Sequence, residues 1–199
     1  TCVPGLPKKE VCDGLDNDCD GLTDASLEER EVISLKCCQS PMVDIANMNF
    51  ICIDSVEASL VPRQGGEEDE LWLTPIKESI PYSGQEEAEM TWIEASTLCN
   101  QVGKRLCTLT EWQNACKGAD NFQYPYGSTY QTTACNLPEY WPEEAEKSLL
   151  SAGQLASCTT QEGVYDLIGN LWEPVTDEEG NALLVGGSYL DSGEEHSCS

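Results

Sequence analysis

The chain has 199 residues, enough for one ordinary domain with a real core plus a short appendage. Its 36 acidic and 10 basic residues give a formal net charge of -26, which repels nucleic-acid phosphates and anionic membrane surfaces and invites divalent cations. Twelve cysteines with no C-x-x-C pair, and a single histidine, His196, leave no room for the usual zinc sites.

That cysteine usage reads instead as a disulfide framework, and we expect all twelve to be paired in an exported protein. The first residue is Thr1, not Met, so we read the chain as one whose secretion signal has been removed. No apolar run approaches the ~18 residues of a membrane span. A secreted, extracellular or cell-surface location without membrane insertion is therefore expected.

In chain order, the first feature is "CDGLDNDCDGLTD", residues 12 to 24. Asp16, Asp18 and Asp20 alternate ahead of Gly21, the D-x-D-x-D-G core of a calcium loop. Alternate carboxylates converge on one point there. The Leu22 carbonyl adds a ligand, and Asp24 lies where a further oxygen or a bridging water belongs. Leu27 stands where a full EF-hand loop carries its bidentate glutamate, so the loop departs from that motif at its end. The stretch resembles the short ExCDGxDNDCDGxxD repeat of bacterial surface proteins, which implies metal binding at a surface.

We take residues 1–39 as an Asp-rich calcium-binding tail and linker, and 40–199 as the main domain. In the latter, "FICIDSVEAS" (50–59) reads as a strand and "GGEEDE" (65–70) as a polar loop. Thr91 with Glu94 makes a capping box, followed at helical spacing by Ala95, Leu98, Cys99 and Val102 and stopped by Gly103. Thr108 with Glu111 makes a second, with Leu109, Trp112, Ala115 and Cys116 as its buried stripe and Gly118 as its stop. Cys99 and Cys116 both face inward on these helices. From 119 to 199 the composition predicts loops and short strands held by cross-links.

The blocks "MTWIEASTLCNQVGKRLCTLTEWQNACKG", "YPYG", "CNL", "GVYDLIGNLWE" and "VGGSY" follow one another as in the formylglycine-generating enzyme family, which this chain resembles over about residues 42 to 198. The resemblance implies an α+β, C-type-lectin-like fold with little regular secondary structure, disulfide-rich and stabilised by calcium. It implies one Ca2+ site built from the Asp166 and Glu173 side chains with the Gly169 and Leu171 carbonyls. A second site would use Asn136 and the Leu137 carbonyl. It also implies a Cys116–Cys198 disulfide; Cys135–Cys158 is a further expected pair, from proximity in the subdomain.

Family oxidases hold copper(I) through two cysteines shortly after the GGS block, because soft thiolates suit a soft ion. Counting from Gly186-Gly187-Ser188, those positions hold Asp191 and His196. The catalytic pair is missing, and we expect His196 to be an exposed loop residue. The "WEP" of 172–174 reads as a variant of the family's WEW, with no lectin asparagine beside it. We therefore expect no enzyme but a calcium-stabilised binding or structural module. Its partners would be calcium ions and other copies of itself or surface components, with the tail as a docking arm in a homo-oligomer. The alternative is a secreted oxidase-like enzyme whose site escapes recognition or lies beyond Ser199.

Overall fold

Thr108 starts a helix for a local reason. Its hydroxyl accepts from the Glu111 N–H at 3.2 Å, and the Glu111 carboxylate accepts from the Thr108 N–H at 2.8 Å, so two orphan donors are satisfied reciprocally. Helix α2 then runs Leu109–Lys117 and ends at Gly118, with φ at 60°. Ahead of it, helix α1 spans Trp92–Gln101, with Thr91 accepting from the Glu94 N–H at its start. Both helices lie where their caps predict. Trp112, Ala115 and Cys116 are buried on α2, and so is Glu111; on α1 only Ala95 is fully buried, while Leu98, Cys99 and Val102 are half-buried.

The computed structural model describes residues 25–28, 31–34, 42–45, 51–62, 71–75, 79–81, 91–191 and 196–199. The chain divides into two compact units, Thr1–Ser40 and Pro41–Ser199. In the first, strands β1 (Ala25–Glu28) and β2 (Glu31–Ser34) form an antiparallel pair that puts Ala25 opposite Ser34. The Asp16–Asp24 loop lies outside the described residues.

The second unit carries β3 (Met42–Asp44), β4 (Cys52–Asp54), β5 (Ala58–Pro62), β6 (Leu71–Pro75), β7 (Glu173–Thr176) and β8 (Ala182–Val185). They pair antiparallel in twos: β3 with β4, β5 with β6, β7 with β8. The expected continuous strand over 50–59 is therefore corrected to two strands. Each takes a different partner, and the chain breaks between them at Ser55–Glu57, where the Ser55 carbonyl accepts from the Tyr165 N–H. Between α2 and β7 the only helix or strand is a single 3-10 turn, Pro138–Tyr140. The unit is α+β with little regular structure. No helix among the described residues is long and apolar enough to cross a membrane.

Strand β7 is tied to the start of α2. The Thr176 N–H donates to the Cys107 carbonyl at 3.0 Å, and Thr176 bridges Thr108. The core gathers Ile45, Ile53, Trp112, Leu137, Leu167, Ile168 and Val175 around two disulfides, Cys116–Cys198 and Cys135–Cys158. Both are the pairs expected. Cys52 is also disulfide-bonded, but Cys99 and Cys107 are free thiols. The expectation that all twelve cysteines pair is thus corrected at two positions. An even total is as compatible with two free thiols as with none, and a partly buried position, on α1 for Cys99 or just before α2 for Cys107, takes a thiol as readily as a half-cystine.

Candidate functional site

The segment Asp166–Glu173 joins the core to β7 through a turn that few residues can make. Asp166 and Asn170 both have positive φ, 60° and 59°, in the left-handed region that Asp and Asn tolerate better than other side chains. Gly169, at φ 78°, packs so closely that an added Cβ would lie 2.4 Å from the Asn136 carbonyl oxygen. Only glycine fits. The Asn170 N–H donates to that same carbonyl at 2.8 Å, and the Gly169 N–H donates to Gly186 at 2.9 Å.

The two carboxylates of this segment point into different hydrogen bonds. Buried Asp166 accepts from the Gly153 N–H at 2.5 Å. Glu173 accepts from the Trp112 indole, a contact made possible by the packing of α2 on β7. Burial, with Asp166 nearby, pushes the Glu173 carboxyl up to about 8.

A third carboxylate, not foreseen, joins them. Glu57, at the break between β4 and β5, accepts from Asn170 Nδ2 at 2.5 Å and from the Leu171 N–H at 3.2 Å. Burial raises its pKa well above the usual range, and the charges of Asp166 and Glu173 raise it further. The sequence offered little signal: Glu57 is one of two acids in "FICIDSVEAS", and the other, Asp54, pairs with Lys104 instead.

Carboxylates and backbone carbonyls are the donor types that a hard cation takes. The charges of Asp166 and Glu173 both act on Glu57, and no turn or loop hydrogen bond among the described residues uses the Gly169 or Leu171 carbonyl. Among the described residues no three His, Cys, Asp or Glu side chains group to hold a metal, so an ion here would depend on backbone oxygens as well. Asn136, the other expected ligand, is engaged on every side. Its Nδ2 donates to Asn170 Oδ1 and the Ser148 carbonyl, its Oδ1 accepts from the Trp141 indole, and the Leu137 carbonyl accepts from Tyr140.

Asp191 and His196 are brought together around one ring. Asp191 accepts from the Trp172 indole at 2.9 Å and from the Ser188 hydroxyl. The His196 ring meets Trp172 edge-on with centroids 5.1 Å apart, and an added Cβ at Gly187 would lie 2.5 Å from it. His196 is half-buried, which corrects the expectation of an exposed loop residue; the cause is this stacking.

A cavity of about 530 Å³ opens beside the carboxylates, lined by Glu57, Glu173, Trp112 and Trp172 together with Cys99 and Cys107. Burial raises both thiols, Cys107 to about 12, which disfavours the nucleophilic thiolate at neutral pH. Lys104 and Arg105, the basic residues of the lining, are paired with Asp54 and Glu111 at 2.6 and 2.5 Å.

The pattern of the sulfatase-modifying factor enzyme 1-like domain matches residues 81–199. The inactive C-alpha-formylglycine-generating enzyme 2 of Bos taurus is 29% identical over 147 residues, covering 62% of this chain and 49% of the relative. Its Mus musculus counterpart is 28% identical, covering 62% and 47%. The formylglycine-generating enzyme of Bos taurus is 28% identical over 98 residues, covering 44% of this chain and 26% of the relative. The chain spans about half the length of the two inactive relatives.

Proposed function

From the premise that this chain belongs to the sulfatase-modifying factor enzyme 1-like family, we propose that it is a non-catalytic, calcium-stabilised module of an exported surface assembly. The observation that carries the non-catalytic part is Asp191. It falls where the family resemblance places a copper(I)-binding cysteine, and its carboxylate is already taken up by Trp172 and Ser188. His196, at the other cysteine position, is packed against the same indole. A hard oxygen and an imidazole in place of two thiolates make a poor host for a soft ion. The similarity to relatives named inactive supports the same reading.

Calcium would be held by Asp166, Glu173 and the Gly169 and Leu171 carbonyls in the main unit, and by Asp16, Asp18, Asp20, Leu22 and Asp24 in the tail. Its role is to supply the positive charge that lets the crowded carboxylates ionise together. The disulfides suit an oxidising compartment, and we place the protein outside the cytosol, at an extracellular surface, with the tail docking a neighbouring copy.

The test is turnover. The full chain, loaded with stoichiometric copper(I) and given a cysteine-containing peptide under oxygen, should produce no aldehyde above a metal-free blank. Asp191→Cys combined with His196→Cys should in turn confer copper(I) binding, read by competition with a chromogenic chelator. Turnover by the unaltered chain would instead favour a secreted oxidase of the formylglycine-generating kind.

A further inference from the structure

The contacts of Glu57 have a direction that its burial alone does not explain. It sits 113 residues from Asn170 and 114 from Leu171 in sequence, yet each of its carboxylate oxygens takes one donor from that short segment. Asn170 is held from its other side as well: its Oδ1 accepts from Asn136 Nδ2 at 2.7 Å and from the Leu150 N–H at 3.0 Å. The residues flanking Asn170 are Gly169 and Leu171, whose carbonyls are left out of turn and loop hydrogen bonds among the described residues. Glu57 thus grips the turn by its donors, while the two carbonyls take no turn or loop hydrogen bond among the described residues.

We propose that Glu57 is a positioning residue for the cation site of Asp166 and Glu173, acting through the Asn170–Leu171 segment to fix the two carbonyls that complete it. The inference rests on the calcium reading above. A ligand shell made of two carboxylates and two backbone oxygens is only as well defined as the turn that carries those oxygens. Neighbouring groups that orient ligands in this way typically set metal affinity by about 10–100-fold. The clamp also ties the β4–β5 connection, through Glu57, to the entry of β7.

The experiment uses the full chain with Asp18→Asn and Asp20→Asn, so that the tail does not contribute, and two further changes made separately. Glu57→Gln removes the charge and mismatches the Asn170 amide. Glu57→Asp keeps the charge but shortens the reach by one methylene. Calcium affinity is read by calorimetry. Terbium(III), excited through the tryptophans, reports the number of water molecules left on the bound ion from its decay in H₂O and D₂O.

Both variants should raise the calcium Kd at least tenfold and add about one or two waters to bound terbium, as backbone oxygens drop out of the shell. Near-UV circular dichroism identifies the folded material on which the comparison is made, and if Glu57→Gln does not fold, Glu57→Asp alone decides. If Glu57→Asp binds like its parent, Glu57 acts by charge alone, and if affinity falls with the water number unchanged, it does not fix the two carbonyls; either result overturns the proposal. If the parent itself binds neither ion, the calcium reading of the main unit falls and this inference falls with it.

Discussion

Glu111 shows how one buried carboxylate can stay ionised. Two Arg105 nitrogens donate to it at 2.6 and 2.5 Å, and the Thr108 N–H adds a third bond. The Arg105 hydrogen bonds are the main reason that its pKa lies below the ordinary value of 4.5. Since the folded value is the lower one, the unfolded chain protonates first as pH falls. The stability from this group is therefore present above about 4.5 and lost as pH drops through the folded value. Glu111→Gln should lower stability by about 1.5–3 kcal/mol at pH 7, a range typical of charged hydrogen bonds. Melting curves of the two proteins should draw together on acidification below the ordinary value of 4.5. A gap that persists there unchanged would assign the effect to cap geometry and not to charge. Cys99 and Cys107 make a second prediction at this scale. In denatured, unreduced protein both should be recovered alkylated, whereas in the native protein at neutral pH they should react more slowly, because burial raises both thiols and limits access to them.

At the level of elements, what was legible in the sequence was what is decided locally. Thr91 and Thr108 announce α1 and α2 because an N-cap needs only the next three residues to complete it. Thr108→Ala should accordingly cost about 1 kcal/mol, measured by chemical denaturation. The 50–59 stretch reads as one strand in the sequence and forms two in the structure because strand identity depends on partners. β4 pairs with β3 and β5 with β6, and nothing in ten consecutive residues encodes that division. The same contrast runs through the candidate site. Asp166, Gly169, Leu171 and Glu173 sit in one contiguous motif and could be picked out together, while Glu57 reaches them across 113 residues and could not. Long-range links also carry much of the stability. Cys116–Cys198 closes a loop of sequence separation 82, for which the chain-entropy model gives about 4.5 kcal/mol. Replacing both cysteines by serine should lower the unfolding free energy by about that amount, whereas a loss under ~1 kcal/mol would mean that the core alone holds α2 to the C-terminal residues.

For the whole molecule, the dominant fact is a net charge of -26 that folding must accommodate. Two carboxylates ~4 Å apart repel by about 4 kcal/mol at an effective dielectric near 20, so crowding them without a cation works against the compact state. A bound ion reverses that sign, and its binding free energy becomes part of the folding free energy, about 2.7 kcal/mol when free calcium is 100 times its Kd. The two compact units should respond separately. Chelation should lower the melting temperature and loosen Thr1–Ser40 first. That unit has only some forty residues, too few to bury a large apolar core. Asp18→Asn with Asp20→Asn should remove one equivalent of calcium by elemental analysis and leave the unfolding of Pro41–Ser199 unchanged in calorimetry. Asp166→Ala should do the reverse, sparing the tail ion and lowering the melting temperature of the larger unit. Part of that loss would persist in chelator, because the bond from the Gly153 N–H to Asp166 also disappears. The calcium-dependent part is thus the difference between the two melting shifts, with and without the ion. If that difference is zero, and native protein contains no calcium, the carboxylates of Asp166 and Glu173 are accommodated by protonation and hydrogen bonding alone, and the Asp-rich stretch of the tail is a solvated linker.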